Sequence, residues 1–418
     1  MLRTETKNIL EHKSGNNKPE LLVIKGKEQD VAKNAIKFLK DGGANIFLYG
    51  TQLVRIMRFE QQGGPLTKLE PVTPPWLLYK IQDYANVVRH DARTRKKVKT
   101  SVPDLIIQII LNVPDLGDWP KLKSFVKTPL LLPDGTWISS PGFHETAWGG
   151  FYLDVDSDGG WLEPGQTKKE AEDALAELQN HFRFFPWDSD LSRSVALSAL
   201  LTAVMRPVLD TAPMHVMDSP VGGTGKSLFI NAVSIIITGS DAVPIRYSHR
   251  NIENRKMLDA LLLAGYNMIA IDNISRSLQG KAINQILTEQ VHEVHILRKN
   301  KIVSLPCTPF IMTAGNNIVI RGALKHHSVI CRIDAQEEEP YLRNFPQDLL
   351  AETRQKRKEI VYWLQTIMRA HTTTCKQDRN ECQFNIYYQG PFESWTLVRR
   401  VLIWLGLPDP VKARGDQY

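Results

Sequence analysis

The sequence has few cysteines and no long apolar run, and both absences narrow the kinds of protein it can be. Its cysteines, Cys307, Cys331, Cys375 and Cys382, show neither a C-x-x-C pair nor a zinc-type spacing, so we expect reduced thiols. No stretch of about 18 apolar residues is present, which argues against a membrane span. The N-terminal stretch MLRTETKNILEHKSG lacks the apolar segment of a signal peptide. These absences predict a cytoplasmic protein without a membrane partner.

The length and the net charge of the chain limit the number of domains and the kind of partner only coarsely. A chain of 418 residues is expected to hold two or three domains. Its 52 Lys and Arg against 45 Asp and Glu give a net charge of +7, which fits a polyanionic partner without requiring one.

The first part of the chain reads as a polar, flexible N-terminus over 1–18 and a small α+β domain over 19–160. The turn-rich stretch DSDGGWLEPGQTKKE (156–170) is interpreted as the linker that ends this domain. Apolar periodicity predicts the following elements: a strand over 20–26, helices over 28–43, 74–90 and 103–112, two strands within 45–60, and a β-meander over 130–154.

A basic stretch, RHDARTRKKVK (89–99), interrupts this domain with six Lys or Arg and one Asp. A solvated loop and a nucleic-acid contact are both consistent with such a run. The sequence alone favours the loop.

The stretch DSPVGGTGKSL (218–228) resembles a phosphate-binding loop in which Pro220 replaces the usual first glycine. A short apolar strand (214–218) precedes it and a helix (227–237) follows, which is the context that such a loop requires. Lys226 would reach the β- and γ-phosphates and Ser227 would hold Mg²⁺. The predicted nucleotide-binding residues are Pro220, Val221, Gly222, Gly223, Thr224, Gly225, Lys226, Ser227 and Leu228.

Two further strands, in 267–275 and 309–317, carry polar residues near their ends, so that Lys226, Asp272 and Asn316 follow one another at nearly equal intervals. Asp272 follows the Walker B pattern and would complete the Mg²⁺ site, whereas the adjacent Asn273 can position a water but cannot take its proton. Asn316 and Asn317 alone would indicate a turn. Their regular spacing from Lys226 and Asp272 favours a sensor, with Asn316 orienting the attacking water.

Several stretches, in one order, resemble the AAA+, superfamily 3-like helicase proteins of prophages, plasmids and integrative elements, which are related to phage primase–helicases. The matching stretches are GTQLVRIMR (50–58), LLLPDGTWISSPGF (130–143), LTAVMRPVLDTAPMHVMDSPVGGTGKS (201–227), ENRKMLDALLLAGYNMIAIDNI (253–274), TAGNN (313–317), CRIDAQEEEPYLRNF (331–345) and WTLVRRVLIWLGLPDP (395–410). The resemblance spans about residues 19 to 410.

The resemblance implies an α/β P-loop AAA+ ATPase core with a parallel sheet over 168–370, and a short helical segment over 371–418 that in the resembling proteins is followed by more sequence. It also implies an ATP- and Mg²⁺-dependent DNA helicase or translocase that acts as a homo-hexameric ring in the replication of a mobile element. Further partners would be a primase or an origin-binding protein. Catalytic roles are implied for Lys226, Asp272, Asn273, Asn316 and Arg332.

One departure from the family pattern affects hydrolysis. Ala323 and the pair His326-His327 stand where the group carries an aspartate and two arginines. A neutral histidine offers neither the permanent charge nor the bidentate fork of an arginine finger. Arg332 remains, and Arg321 or Lys325 could compensate. The alternative function is therefore an ATP-binding replication initiator or loader with weak or no hydrolysis.

A hairpin between Asp272 and Asn316 is the predicted DNA contact. Arg298, Lys299 and Lys301 would grip the sugar–phosphate backbone there, although an ordinary exposed β-turn explains the same residues equally well. A P-loop kinase or another NTPase is a third possibility, against which the large N-terminal region argues.

Overall fold

The computed structural model describes residues 18–59, 66–156, 159–248, 251–274, 277–296, 301–337, 339–342, 348–384, 386 and 390–414. They form two compact units. The first is drawn from 1–48, 53–55 and 71–120, and the second from 49–52, 56–70 and 121–418. The predicted domain boundary near residue 160 stays a prediction.

The chain begins with a mixture of short strands and helices: β1 (Glu20–Leu22), α1 (Glu28–Asp41), β2 (Ile46–Tyr49), β3 (Gln52–Phe59), β4 (Leu66–Pro71), α2 (Pro74–Tyr84), β5 (Asn86–His90), β6 (Lys97–Lys99) and α3 (Asp104–Asn112). The predicted helix over 74–90 is correct over 74–84 and wrong over 85–90. Val87 and Val88 are β-branched, and both pair in parallel with β1, so this stretch is a strand.

Six short strands follow: β7 (Lys121–Leu122), β8 (Ser124–Val126), β9 (Leu130–Leu131), β10 (Trp137–Ile138), β11 (Gly142–Thr146) and β12 (Gly149–Leu153). The predicted meander over 130–154 is only partly correct. β9 and β10 form one antiparallel pair, and β11 and β12 form another. However, β12 also pairs in parallel with β8, which joins the second pair to an earlier strand.

The remaining helices are α4 (Lys168–His181), α5 (Asp190–Met205), α6 (Lys226–Thr238), α7 (Asn251–Leu263), α8 (Lys281–Thr288), α9 (Leu349–Gln355), α10 (Arg357–Gln377) and α11 (Thr396–Trp404). The remaining strands are β13 (Met214–Ser219), β14 (Pro244–Arg246), β15 (Met268–Ile274), β16 (Ser277–Leu278), β17 (Val291–Ile296), β18 (Lys301–Pro306), β19 (Phe310–Asn316), β20 (Val319–Ile320) and β21 (Ser328–Arg332).

Five of these strands form a parallel sheet in the order β14-β15-β19-β13-β21, which confirms the predicted α/β class with a parallel sheet. The chain leaves β13 toward β14 at one edge of the sheet and later reaches β21 at the other. β13 is therefore a point where the connections diverge. In open parallel sheets, ligands bind beyond the carboxyl end of such a strand.

The cysteines differ from the expectation of reduced thiols. Cys375 and Cys382 form a disulfide, because the chain turns back after the end of α10 and brings Cys382 beside the helix. Cys307 and Cys331 are free and buried. Within the described residues, the longest apolar helices fall short of what a membrane crossing requires.

A buried histidine lies at the centre of the parallel sheet. His215 on β13 is 0% exposed, and its Nε2 lies 2.9 Å from the Ser198 hydroxyl of α5. The rings of Phe310 and Trp395 pack against it at their edges. Burial disfavours the charged imidazolium and lowers the pKa of His215 to about 3.

Acid should therefore destabilise this unit through His215. In the unfolded chain the imidazole takes a proton near pH 6.5, whereas in the folded chain it resists protonation until about pH 3. The folded state thus loses stability as the pH falls below about 6.5, by about 2 kcal/mol at pH 5. Urea unfolding at pH 7 and pH 5 should show a smaller acid-induced loss for His215→Gln than for the wild type. Equal losses would contradict this assignment.

Candidate active site

The loop between β13 and α6 has a backbone that only glycine adopts easily. Gly223 and Gly225 have φ angles of +77° and +102°. A Cβ on Gly225 would lie 3.2 Å from the Phe185 ring, so a side chain there would be strained and crowded as well. Gly225 is the residue before α6. The backbone N–H groups of the loop therefore lie next to the N-terminus of a helix. Such an arrangement suits an anionic group.

The Lys226 ammonium lies over this loop. Its Nζ donates to the Val221 carbonyl at 3.1 Å and to the Thr224 hydroxyl at 3.2 Å. Thr224 in turn donates to Ser219 Oγ at 3.1 Å, which links the loop to the end of β13. Partial burial lowers the pKa of Lys226, and the nearby carboxylates of Asp218 and Asp272 oppose that shift. A cation is therefore held where the loop would receive phosphate.

Ser227 and Asp272 meet across the sheet. The Ser227 hydroxyl, in the first turn of α6, lies 3.2 Å from both carboxylate oxygens of Asp272 at the end of β15. β19 lies between β13 and β15 in the sheet. The two side chains therefore contact each other beyond the carboxyl ends of the strands. A hydroxyl and a carboxylate are oxygen ligands of the type that Mg²⁺ takes. The pair fits a divalent cation beside a phosphate chain.

The two asparagines at the end of β19 lie beside the same loop. Asn316 is exposed, and its amide nitrogen is 3.9 Å from the position that a Cβ on Gly222 would occupy. Asn317 forms the turn, with a φ of +48°. Its backbone N–H donates a hydrogen bond to the Ser219 carbonyl at 3.0 Å, and its side-chain amide donates one to the Pro220 carbonyl at 3.3 Å. The first asparagine is therefore placed near the loop by the turn that the second one makes.

A carboxylate that the sequence reasoning missed joins these elements. Asp218, at the end of β13, accepts the Ile318 N–H at 2.8 Å with one oxygen and pairs with Arg332 Nη1 at 3.1 Å with the other. Burial raises the pKa of Asp218, and the Ile318 and Arg332 contacts oppose that rise. Asp218 therefore ties the asparagine turn to β21. Its position directly before the glycine loop was the available signal.

A cavity of about 210 Å³ opens beside the loop. Its lining combines loop and helix residues with apolar and aromatic side chains from α4, α6 and α9 and their ends: His181, Phe184, Phe185, Thr224, Gly225, Leu228, Asp348 and Leu349. Of these, the sequence analysis selected only Thr224, Gly225 and Leu228. The adjacent aromatics Phe184-Phe185 were a visible signal, but nothing in the sequence indicated that they lie beside the loop.

The residues expected to act on a neighbouring subunit are placed differently. Arg332 is engaged within its own chain by Asp218. His327 is half-buried, its Nδ1 contacts Asn284 Oδ1, and its ring packs against Phe392. His326, Arg321 and Lys325 are exposed.

The predicted DNA hairpin exists in outline. β17 and β18 pair antiparallel, with Ile296 opposite Lys301, and Lys301 is exposed. Arg298 and Lys299 lie outside the described residues, as does the side chain of Asn273.

No protein-family model and no curated protein matches this sequence. Among solved structures, the chain is similar to the apo A form of the NrS-1 C-terminal region, at 12% identity over 71% of this chain and 69% of that one, with a TM-score of 0.35. It is also similar to SCCmec type IV Cch, described as an active helicase, at 12% identity over 88% and 75%, with a TM-score of 0.26. With such low TM-scores, the fold and the site are inferred from this chain's own strand order and contacts.

The Asp218–Arg332 pair should contribute more to stability than an exposed pair of the same chemistry. The Asp218→Asn variant keeps an acceptor for Ile318 but removes the charge that Arg332 contacts, at a cost of about 1 kcal/mol after allowance for the partly exposed arginine. The matched control is Asp241→Asn, because the Asp241–Arg354 pair is exposed on both sides. Urea unfolding should show a measurable loss only for Asp218→Asn, and equal losses would contradict a joining role.

Proposed function

We propose that this chain is an ATP-driven DNA helicase or translocase that serves the replication of a mobile genetic element. The observation that carries the proposal is the contact between Ser227 and Asp272 beside the glycine loop. A phosphate loop, a lysine and a hydroxyl–carboxylate pair, with the hydroxyl on a helix and the carboxylate on a strand, are the parts that nucleotide hydrolysis requires.

The residues of the site fit ATP and Mg²⁺. The backbone N–H groups of residues 222–225 and the Lys226 ammonium would hold the phosphates, while Ser227 and Asp272 would hold the ion. Mg²⁺, when bound, withdraws charge from the phosphate oxygens. Asn316 would orient the attacking water, and Asn273 would act as a second polar group at the end of β15. Neither asparagine can take the proton of that water.

The apolar cavity beside the loop would receive the base. Phe184, Phe185 and Leu228 offer flat or apolar surfaces, while Asp348 and His181 offer polar edges. Burial lowers the pKa of His181, so its imidazole is neutral near pH 7 and can donate or accept a hydrogen bond. A mostly apolar pocket with a few polar groups is the usual form of a base site.

A helicase or translocase also requires an oligomeric ring and a contact with DNA. We propose a homo-hexamer in which the hairpin of β17 and β18, with Lys301 and the neighbouring Arg298 and Lys299, contacts the sugar–phosphate backbone. A primase or an origin-binding protein is the proposed further partner. Such a grip is largely independent of sequence and sensitive to salt.

A second function, an ATP-binding initiator or loader with little hydrolysis, is favoured by one observation. Arg332, the remaining candidate finger, is engaged by Asp218 of its own chain. His327 is also engaged, by Asn284 and Phe392. A loader needs bound ATP but no group that triggers its cleavage.

Nucleotide turnover with and without DNA tests the proposal. We expect the wild type to hydrolyse ATP in a single-turnover assay, and single-stranded DNA to accelerate this step. Lys226→Ala should weaken ATP binding roughly 10- to 100-fold, because a charge-assisted contact contributes about 1.5–3 kcal/mol. Lys281→Ala is a suitable control, since Lys281 is exposed at the start of α8 and belongs to none of the loop contacts described above.

The outcomes separate the two functions. Tight ATP binding without turnover would support the loader instead of the motor. Turnover that DNA leaves unchanged would contradict both.

The base pocket can be tested apart from the phosphate loop. Leu349→Trp fills the cavity with a larger side chain, and overpacking of about 1–3 kcal/mol should weaken ATP binding about tenfold. Binding of inorganic tripolyphosphate, which has no base, should stay at the wild-type level in a competition assay. Leu162→Trp is the control, because Leu162 is exposed and lies outside the cavity lining. Parallel loss of ATP and tripolyphosphate would show that the cavity is not a base site.

A further inference from the structure

The basic stretch that the sequence left open between a loop and a nucleic-acid contact is a β-hairpin. We call residues 86–99 the basic hairpin: β5 and β6 pair antiparallel, with Val88 opposite Lys99 and His90 opposite Lys97. Val87 and Val88 are buried and anchor its base. Beyond them, all six cationic side chains are exposed: Arg89, Arg93, Arg95, Lys96, Lys97 and Lys99.

The tip of the basic hairpin is held in one conformation by its single acidic residue. Asp91 accepts the N–H groups of Arg93 at 3.0 Å and Thr94 at 2.7 Å, and also the Thr94 hydroxyl at 2.9 Å. The Asp91 and Lys96 backbones close the turn at 2.9 Å. These bonds to the ionised carboxylate lower the pKa of Asp91. The one negative charge of the stretch is therefore used within the turn, where it shapes the backbone that carries the cations.

Most of these cations have no carboxylate partner among the residues that the structure describes. Lys97 pairs with Glu20, but in the part of the chain that the structure describes no carboxylate lies within ion-pair distance of Arg93, Arg95, Lys96 or Lys99. At about 3.3 Å per residue, the stretch from the tip of the basic hairpin to Lys99 is about 13 Å long. Along the axis of a duplex, this length corresponds to about four phosphates of one strand.

We propose that the basic hairpin is a nucleic-acid binding site that contacts the phosphodiester backbone, formed by residues other than those of the nucleotide site and of the hairpin of β17 and β18. The stretch 89–99 contains no Phe, Tyr or Trp, so base stacking is not available and the contact is electrostatic with little sequence preference. An anionic membrane is the weaker fit, because interfacial binding is normally anchored by exposed apolar side chains and Val98, the sole apolar residue of the stretch larger than alanine, is half-buried.

Nucleotide-free DNA binding tests this site. Fluorescence anisotropy with a labelled 20-base-pair duplex would compare the wild-type chain with Arg93→Ala/Arg95→Ala/Lys96→Ala. The matched control is Lys25→Ala/Lys33→Ala/Lys37→Ala, which removes the same charge from exposed positions on and just before α1. We expect about tenfold weaker binding for the hairpin variant, and a slope of log K against log salt that is shallower by about 2 to 3.

Further samples in the same assay identify the ligand and control for misfolding of the variant. Arg93→Lys/Arg95→Lys should retain binding, which a folding defect in the alanine variant would not explain. An RNA duplex of the same sequence distinguishes the two sources of phosphodiester, and loss of binding to either one in the alanine variant supports the site. Because the assay contains no ATP, failure of the proposed ATPase function would leave this result intact.

Two results would overturn the proposal. One is equal weakening by the hairpin variant and by the α1 control, since net charge alone would then explain binding. The other is hairpin-dependent binding to phosphatidylserine vesicles with unchanged binding to both nucleic acids.

Discussion

The carboxylate of Asp218 holds together the parts of the site that come from different strands. It is the penultimate residue of β13, just before the glycine loop, and it accepts the backbone N–H of Ile318, which follows the two asparagines, and pairs with Arg332 of β21. The Ile333 N–H, just beyond Arg332, donates to the Asp218 carbonyl at 2.9 Å. A displaced Asp218 would therefore shift Asn316 and Arg332 together, because both are fixed relative to the loop through the same residue.

Charge balance around the loop follows from this arrangement. Two cations, Lys226 and Arg332, lie close to two carboxylates, Asp218 and Asp272, so the side chains at the site nearly neutralise one another. A magnesium–nucleotide complex is still an anion, and it must be stabilised by something other than a surplus of cationic side chains. The backbone N–H groups of the loop and the first turn of α6 supply that field without adding a charge that would need burial.

Local patterns predicted most of what the structure contains in the parallel sheet. β13, β15 and β19 are short apolar runs with polar ends, and the G-K-S sequence marks the start of α6, so both type and position were readable. The order of the strands in the sheet could not be predicted, because it depends on contacts between distant parts of the chain. The same reason hid Asp218 and Phe185, whose roles come from neighbours far along the sequence. Val87 and Val88 misled the helix prediction because a parallel partner, β1, overrode the local periodicity.

The pairing of Arg332 also bears on how cleavage would be triggered. An arginine in a pair with a mostly buried aspartate gains a charge-assisted contact, so moving it onto a phosphate must replace that contact before it adds anything. Asp218 keeps an N–H donor from Ile318 when Arg332 leaves, which lowers the cost of the exchange. Arg332 is 31% exposed and lies on the strand next to β13, on the side of its own loop. In the proposed ring, Arg332 would therefore sense the nucleotide of its own chain, and the exposed Arg321, Lys325 and His326 would be the candidates for a trigger supplied from another subunit.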